Sequence, residues 1–348
     1  MDWSTNTSAS PTGMASQLKT RPQREAGRLP LIIEPVAGGM DPIEVLSAER
    51  SAIHKLLLQH GALLLRGFDI AARNFPLVVD AVVGQRLDYV YRSTPRRSLG
   101  DKVFSATEYP KGRIIPLHSE EAYQRSWPLK LAFFCEVPAE RGGETPLADL
   151  CAVTKRLSPD LLARFGTRGV RYIRNYTAGI DLSWKDVFQV STEGEAEAFC
   201  RSHDIQFEWK FDGTLRTEQT CQGVAVHPTL GEEVFFNQAH LFHVSSLGEE
   251  MERHMRDLFG ENDLPRHATF GDGTPIGSSD LDAIRAALDQ ERIEFTWQTQ
   301  DLLLVDNMQV LHGRNAFSGR RSVLVAMTDH HCPMDLTLPR QRYGSAGV

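Results

Sequence analysis

Apolar residues recur along the chain in two rhythms, one helical near the N-terminus and one typical of short strands beyond it. Between residues 41 and 60, Ile43, Leu46 and Ile53 belong to a set of apolar positions spaced three and four residues apart, which predicts an amphipathic helix. A second helix is predicted over residues 75–83. From residue 89 onward, short apolar runs alternate with turn residues, and this pattern favours β-structure.

The predicted strands are short and numerous, which is typical of a β-sandwich or jelly roll. Helical inserts interrupt them at residues 154–165, 249–259 and 280–291. The strands are predicted over residues 31–33, 62–68, 131–137, 223–227, 233–237, 293–297, 301–306 and 322–327. The sequence therefore predicts a fold that is mainly β, with flanking helices packed outside a sandwich core.

Chain length and composition predict one domain behind a short leader. The 348 residues are enough for a single large core, and no repeat or Pro/Gly/Ser-rich linker divides the middle of the chain. Residues 1–28 are rich in Ser, Thr, Pro and Arg and lack an apolar segment, so we expect a disordered leader there. We expect residues 29–348 to form the domain, including its helical inserts.

Charge, hydropathy and cysteine spacing argue against several classes of protein. A formal net charge of −7 and a pI near 6.0 disfavour nucleic acid as a partner. No apolar run reaches the roughly 18–20 residues that span a bilayer, and the N-terminus lacks a signal-peptide pattern. The five cysteines are dispersed without a C-x-x-C pair, which predicts reduced thiols in a cytoplasmic protein.

A His-x-Glu pair and a distant histidine form the candidate catalytic constellation. In a strand, residues two apart point to the same face, so His118 and Glu120 can bind one metal ion from one side. His312, in the segment NMQVLHGR, would supply a third ligand from the far end of the same barrel. Two imidazoles and one carboxylate suit non-haem Fe(II) and leave positions open for a co-substrate and oxygen.

Two further segments are candidates for binding an anionic ligand. Paired glycines in the segment RGGETPLAD, residues 141–149, allow the backbone to approach a ligand closely. Arg314 and the pair Arg320-Arg321 follow His312, and a guanidinium is the natural bidentate partner of a carboxylate. Only one arginine of the pair can face a pocket if the segment is a strand, because neighbouring strand residues point to opposite faces.

The order of these motifs resembles the taurine/2,4-D dioxygenase family (TauD/TfdA). H-x-E is followed by G-G-E-T-P, then by F-x-N-x-x-x-x-F, and finally by N-x-x-V-x-H-G-R with an arginine-headed strand. The similarity extends from about residue 63 to about residue 329. It implies a double-stranded β-helix (jelly-roll, cupin-like) core and an oxygenase that depends on Fe(II), 2-oxoglutarate and O2.

The resemblance also assigns roles to individual residues. It implies that His118, Glu120 and His312 are the iron ligands. Thr145 is expected to hydrogen-bond the 2-oxoglutarate carboxylate and Arg321 to form its salt bridge, with Arg320 as the competing choice. The substrate pocket is expected to be lined by four further residues, namely Arg96, Glu121, Asn237 and Phe242.

Four short segments are most similar to the SyrP-like branch of the family, which hydroxylates amino acids in secondary metabolism, often on a carrier protein. These are STPR at residues 93–96, TEYP at 107–110, IPLH at 115–118 and WPLK at 127–130. Glu120 agrees with that branch, because the glutamate version of the motif resembles amino-acid β-hydroxylases. The related halogenases lack this carboxylate. A free amino acid, a carrier-tethered aminoacyl group and a small sulfonate stay open as substrates, and a homo-oligomer stays open as an assembly.

Two other classes of protein would also accommodate these residues. A zinc-dependent hydrolase or isomerase could use the same three ligands with one open position, although it would have no need of Thr145 and Arg321. A non-catalytic binding protein on a degenerate oxygenase scaffold is the other alternative, and the intact ligand set argues against it. Within the oxygenase reading, desaturation and cyclisation use the same cofactors as hydroxylation.

Overall fold

Two β-sheets, whose strands pair mostly antiparallel, lie at the centre of the protein and helices cover them. The computed structural model describes residues 17–23 and 29–333. Its helices are α1 Pro42–Ala48, α2 Arg50–His60, α3 Phe75–Val82, α4 Leu150–Arg156, α5 Pro159–Arg168, α6 Trp184–Phe188, α7 Glu193–Ser202, α8 Ala239–Phe242, α9 Glu249–Phe259 and α10 Ser278–Gln290, with 3-10 turns at Ala72–Asn74 and Val244–Leu247.

The strands are on average shorter than the helices. They are β1 Leu18–Pro22, β2 Leu31–Pro35, β3 Ala62–Leu65, β4 Ser98–Gly100, β5 Val103–Ser105, β6 Ile115–His118, β7 Trp127–Val137, β8 Arg141–Gly142, β9 Leu147–Asp149, β10 Val170–Asn175, β11 Gln206–Trp209, β12 Leu215–Cys221, β13 Ala225–Val226, β14 Glu233–Val234, β15 Arg266–Phe270, β16 Leu302–Asp306, β17 Val310–Arg314, β18 Phe317–Ser318 and β19 Ser322–His331.

The larger central sheet has the strand order β1-β2-β3-β16-β7-β19-β5-β4, and the smaller one has the order β6-β17-β9. Leu303 and Val305 of the larger sheet share one apolar cluster with Leu147 and Val310 of the smaller sheet. Burial of this shared layer holds the two sheets face to face. The predicted jelly-roll core is therefore confirmed.

Helices α1, α2 and α3 cover the outer face of the larger sheet. Leu302 and Leu304 of β16 point to these helices and pack with Ile53 and Val79, whereas the alternate residues of β16 face the inner layer. Because both faces of β16 are buried, its sequence is continuously apolar rather than alternating. That is the pattern by which the strand was predicted.

A further sheet and six helices form an insert beside the jelly roll. The strand order of this sheet is β11-β12-β10-β15, and its apolar residues join those of α4, α5, α6, α7, α8 and α10 in a core cluster that also includes Leu117 and Leu311 of the smaller central sheet. The predicted helix over residues 154–165 is two helices here, because Ser158 caps α5 and Pro159 cannot continue α4. The predicted helix over residues 41–60 is likewise divided, at Glu49.

The strand predicted over residues 293–297 is absent from the described structure. Only Ile293 pairs there, through an isolated bridge to Leu147. Phe295 and Trp297 are buried in the layer between the sheets, and this burial explains their apolar character without any ladder of hydrogen bonds. An apolar run of this length does not distinguish a strand from a packed loop.

The prediction of a disordered leader was wrong for part of its length. Strand β1 lies within residues 1–28 and pairs antiparallel with β2, from Leu18 opposite Pro35 to Pro22 opposite Leu31. Its side chains are largely exposed, so the strand is held by backbone hydrogen bonds to a sheet edge rather than by burial, and it has no apolar signature. Residues 1–16 and 24–28 lie outside the described residues.

Among the residues that the structure describes, no helix is long and apolar enough to cross a membrane. The limits of the single domain, residues 29–348, stay a prediction.

Truncation of a side chain under the helical cover tests the packing of the larger sheet. Leu304 is 1% exposed, and we expect Leu304→Ala to lower the free energy of unfolding by about 2–5 kcal/mol through lost burial and a residual cavity. Leu258 on α9 is 64% exposed, and Leu258→Ala should change the free energy of unfolding by less than about 0.5 kcal/mol. Urea unfolding followed by circular dichroism measures both. Equal losses in the two variants would contradict the packing described for β16.

Candidate active site

The two candidate histidine ligands face each other across a strand pair. In the antiparallel pairing of β6 with β17, His312 lies directly opposite His118, and their ring centroids are 4.5 Å apart. The register shifts immediately after His312, where Gly313 passes close to β6. A Cβ atom on Gly313 would lie 2.6 Å from the carbonyl oxygen of Ile115, so only glycine fits there.

Glu120 reaches the same point by a route that differs from the predicted one. Strand β6 ends at His118, and Glu120 lies in the turn that leads to β7. The alternation of a strand therefore does not explain how the two side chains converge. Even so, one ligand atom from each of His118, Glu120 and His312 lies within 4.8 Å of the other two, and Glu120 Oε2 is 3.6 Å from His312 Nε2.

The protonation states of these groups suit a metal ion. His118 Nδ1 is 2.8 Å from the carbonyl oxygen of Pro116, which can only accept, so Nδ1 carries the proton and Nε2 is left with its lone pair. Burial and the adjacent His312 lower the pKa of His118 to about 3, which keeps its ring neutral. Burial alone would raise the pKa of Glu120, but Arg96 and His312 hold it well below its ordinary range.

The three side chains thus fit non-haem iron. Within the described residues, His312 Nδ1 is buried without a hydrogen-bond partner, whereas a buried polar atom is normally satisfied. Metal ligands bind in their deprotonated forms, and His118 and Glu120 are in those forms at neutral pH. Two imidazoles and one carboxylate on one side leave the other coordination positions free.

A buried arginine lies against the carboxylate. Arg96 Nη2 donates a hydrogen bond of 2.6 Å to Glu120 Oε2, and both side chains are about 4% exposed. The guanidinium also lies over the ring of Tyr89, 4.9 Å from its centroid. Its Nε and Nη1 atoms have no partner in the described part of the chain. Arg96 therefore neutralises Glu120 and still has two donors to offer.

These groups open onto a cavity of about 430 Å³, counting its mouth. Residues of both central sheets line it, and they combine an apolar wall with arginines and the two histidines. The lining consists of Arg96, Ala106, Thr107, Ile115, His118, Phe133, Thr145, His312, Gly313, Arg314, Arg321, Val323 and Val325.

Thr145 and Arg321 lie in this cavity, as expected for residues that bind a co-substrate. Trp297 Nε1 donates a 3.1 Å hydrogen bond to Thr145 Oγ1, so the hydroxyl proton of Thr145 is free to be donated to a ligand. Arg321 Nε donates to the carbonyl oxygen of Gly143 at 2.9 Å. Burial and the nearby Arg314 lower the pKa of Arg321 to about 10, and Arg321 forms no ion pair with a carboxylate among the described residues. Arg320 is exposed and does not line the cavity.

The paired glycines of the G-G-E-T-P segment allow this arrangement. Gly142 and Gly143 both have positive φ, 69° and 74°. A Cβ atom on Gly142 would lie 2.2 Å from the carbonyl oxygen of Ala316, and one on Gly143 would lie 3.1 Å from Cδ of Arg321. Strand β8 therefore approaches β18 closely, and Gly143, the residue after β8, presents its carbonyl oxygen to Arg321.

Arg314 has a structural role instead. Its Nη1 and Nη2 atoms donate to the carbonyl oxygens of Tyr109, Pro110 and Arg113 at 2.8–3.0 Å. These hydrogen bonds hold the loop at the cavity edge. Of Arg314 and Arg321, it is therefore Arg321 whose terminal nitrogens are available to a ligand.

Three of the four predicted substrate residues do not line the cavity. The side-chain amide of Asn237 donates a hydrogen bond to the carbonyl oxygen of Gly223 and accepts one from the N–H of Ala239. Phe242 packs on Tyr123 in the core of the insert. Glu121 has a φ of 57°, so the chain turns at this residue, directly after the ligand Glu120. Burial and the Glu120 carboxylate raise the pKa of Glu121 to about 8. Of the four positions only Arg96 lines the cavity, and a substrate role for the other three stays a prediction.

The sequence reasoning also overlooked two residues. Trp297 orients Thr145 from a loop that was predicted as a strand. Asn307 opens the motif that contains His312 and bonds the backbone of Glu120. Asn307 is part of the motif NMQVLHGR, but the sequence around Asn307 or Trp297 does not show which distant residue each side chain contacts.

A jelly roll whose smaller sheet brings two histidines to one cavity, with a carboxylate beside them, is typical of non-haem iron oxygenases. Residues 30–328 match the family described as "Taurine catabolism dioxygenase TauD, TfdA family". The chain belongs to this family of Fe(II)- and 2-oxoglutarate-dependent dioxygenases, which use O2. Of the classes considered from the sequence, neither the zinc hydrolase nor the non-catalytic scaffold has support from this match.

Individual relatives agree with this assignment. The dapdiamide synthesis protein DdaC from Enterobacter agglomerans is 37% identical over 309 residues, which cover 85% of this chain and 94% of DdaC. A clavaminate synthase-like protein from Arabidopsis thaliana is 30% identical over 323 residues, covering 87% of this chain and 94% of that protein. The structure of PvcB from Pseudomonas aeruginosa superimposes with a TM-score of 0.52 at 18% identity, over 93% and 94% of the two chains, and shares the fold.

Removal of a proposed ligand tests the metal site directly. We expect His118→Ala, Glu120→Ala and His312→Ala each to weaken Co(II) binding by more than about 100-fold, beyond the 10–100-fold typical of losing an outer-shell partner. His254→Ala, an exposed histidine on α9, is the control and should bind like the unaltered protein. Equilibrium dialysis with metal analysis gives the affinities. A His312→Ala variant with unchanged affinity would remove His312 from the ligand set.

Proposed function

We propose that this enzyme hydroxylates an unactivated C–H bond of an amino-acid-like substrate in secondary metabolism. His118, Glu120 and His312 would hold Fe(II), Thr145 and Arg321 would bind 2-oxoglutarate, and Arg96 would bind the substrate. One observation carries the proposal: His118 and His312 line the same cavity as Thr145, Arg321 and Arg96, and a ligand atom of Glu120 lies within 4.8 Å of those of both histidines. The similarity to DdaC, which is named for dapdiamide synthesis, supports a biosynthetic role.

The residues of the cavity position and shelter the reactants. When bound, Fe(II) with 2-oxoglutarate supplies the oxygen-activating chemistry. Arg321 offers a permanent positive charge in a buried setting, where its attraction to a carboxylate is stronger than in water, and Thr145 can donate a further hydrogen bond. Phe133, Val323 and Val325 form an apolar wall that limits the access of water.

The free donors of Arg96 indicate what the substrate carries. Buried N–H groups without partners cost free energy, and a carboxylate that accepts from Nε or Nη1 would recover it. A free amino acid has such a carboxylate, whereas an aminoacyl thioester has lost its α-carboxylate to the carrier. We therefore place a free amino acid ahead of a carrier-tethered one, and both ahead of a sulfonate. Desaturation and cyclisation stay alternatives to hydroxylation.

The cysteines support a cytoplasmic location. In the described structure none of the five cysteines forms a disulfide, and four of them are buried (Cys135, Cys151, Cys200 and Cys221). Cysteines outside disulfides are typical of a reducing compartment. A carrier protein and a second copy of this chain stay predicted partners.

The two neighbouring arginines provide a matched test of co-substrate binding. We expect Arg321→Ala to weaken 2-oxoglutarate binding by roughly 10–100-fold. This factor corresponds to the loss of about 1.5–3 kcal/mol, the usual contribution of a hydrogen bond to a charged group. Arg320→Ala removes the same charge from an exposed position and should change the affinity by less than about threefold. Calorimetric titration of the Fe(II) protein under argon measures both. A larger loss for Arg320→Ala would reverse the assignment.

Turnover with a substrate panel tests the proposed reaction. We expect the Fe(II)-loaded protein to release succinate from 2-oxoglutarate faster with one free amino acid than with carrier-tethered amino acids or sulfonates, and the product to gain one oxygen atom by mass spectrometry. Arg96→Gln should raise the KM for that amino acid. The absence of 2-oxoglutarate turnover with every candidate, together with tight retention of zinc, would contradict the oxygenase.

A further inference from the structure

The backbone of Glu120 is held by a side chain from a distant part of the chain. Asn307 Oδ1 accepts a 2.7 Å hydrogen bond from the N–H of Glu120, and Asn307 Nδ2 donates to the carbonyl oxygen of Glu120 at 2.9 Å. Strand β6 has already ended at His118, so no sheet ladder is available to satisfy these groups. One amide side chain therefore binds both polar backbone groups of one ligand residue.

Asn307 is itself anchored on several sides. Its Nδ2 donates a second hydrogen bond, 2.8 Å long, to the carbonyl oxygen of Pro128, and its backbone N–H donates to the carbonyl oxygen of Leu129, also at 2.8 Å. Both acceptors belong to β7, the strand that Glu120 leads into. The side chain is fully buried, so water cannot replace any of these bonds.

The turn that carries Asn307 is rigid for a further reason. The carboxylate of the preceding Asp306 is bonded by His227 Nε2, by Gln309 Nε2 and by the backbone N–H of Met308, each at 3.1 Å. This turn joins β16 to β17, and β17 carries His312 five residues after Asn307. The same hairpin thus supplies one ligand and grips the backbone of another.

We propose that Asn307 is a positioning residue of the metal centre, which sets the Glu120 carboxylate relative to His312. The inference rests on the proposed function only in taking these side chains as metal ligands. Asparagine suits the task because its amide both accepts and donates. An aspartate could not donate to the two carbonyl oxygens, and alanine would leave the N–H and C=O of Glu120 buried and unpaired in a turn that already has a positive φ at Glu121.

Asn175 provides a matched control. It lies on β10 in the insert, is 1% exposed, and also makes three hydrogen bonds, donating to the carbonyl oxygens of Asn262 and Leu264 and accepting from Lys210 Nζ. None of its partners touches a ligand residue. Asn307→Ala and Asn175→Ala therefore remove the same kind of buried amide, but only the first removes a contact to Glu120.

The test compares Co(II) affinity in these variants with their stability. We expect both variants to lose resistance to urea to a similar extent, whereas only Asn307→Ala should bind Co(II) about 10–100-fold more weakly, as for the loss of an outer-shell partner. In a Glu120→Ala background, Asn307→Ala should have almost no further effect, because a residue that acts through Glu120 has nothing left to position. The proposal would be overturned if Asn307→Ala and Asn175→Ala lost Co(II) affinity equally. It would also be overturned if Asn307→Ala weakened Co(II) binding as much in the Glu120→Ala background as in the unaltered protein.

A measurement on the unaltered protein tests the proposal even if the Asn307→Ala variant fails to fold. The amide hydrogen of Glu120 should exchange slowly with solvent although it lies outside the strand, and fast exchange there would contradict the clamp. The two proposals can fail separately. An unaltered protein that binds no Co(II) contradicts the metal site, whereas normal binding with no effect of Asn307→Ala contradicts only the role of Asn307.

Discussion

The antiparallel pairing of β6 with β17 is the interaction on which the rest of the site depends. It places His118 and His312 opposite each other, and a shift by one residue would turn His312 away from the cavity. The apolar layer between the sheets maintains this register, because Val310 has to stay buried. Gly313 permits the strands to approach at the bulge that follows. The packing of the jelly roll thus fixes the geometry of the candidate metal site.

Neighbouring groups compensate the buried charge beside the cavity. Glu120 is buried, and burial of a carboxylate is unfavourable unless an opposite charge or hydrogen bonds compensate for it. Arg96 provides that charge, and Asn307 binds the backbone that carries the carboxylate. His118 stays neutral and therefore adds no repulsion before a metal ion binds. Arg321 is the exception, because it forms no ion pair with a carboxylate among the described residues, which agrees with a role in binding an anionic co-substrate.

The sequence predicted the fold well where burial is periodic. The amphipathic run at residues 280–291 corresponds to α10, which buries Leu281, Ile284 and Leu288, and the apolar run at residues 322–327 lies within β19. It failed where hydrogen bonding rather than burial forms the element, as in β1, or where burial occurs without pairing, as near Phe295. Apolar periodicity reports which side chains leave water. It does not report which backbone groups find a partner.

The sequence by itself determined the family to which the chain belongs, and it identified the candidates for its chemistry: two histidines and a glutamate for the metal, and a threonine and an arginine for the co-substrate. Only the tertiary structure decided which arginine of the pair faces the cavity, that Asn237 and Phe242 lie elsewhere, and that Asn307 holds Glu120. The physical reason is that residue type and spacing encode local geometry. Contacts between residues almost two hundred positions apart follow from how whole sheets pack, and no short segment carries that information.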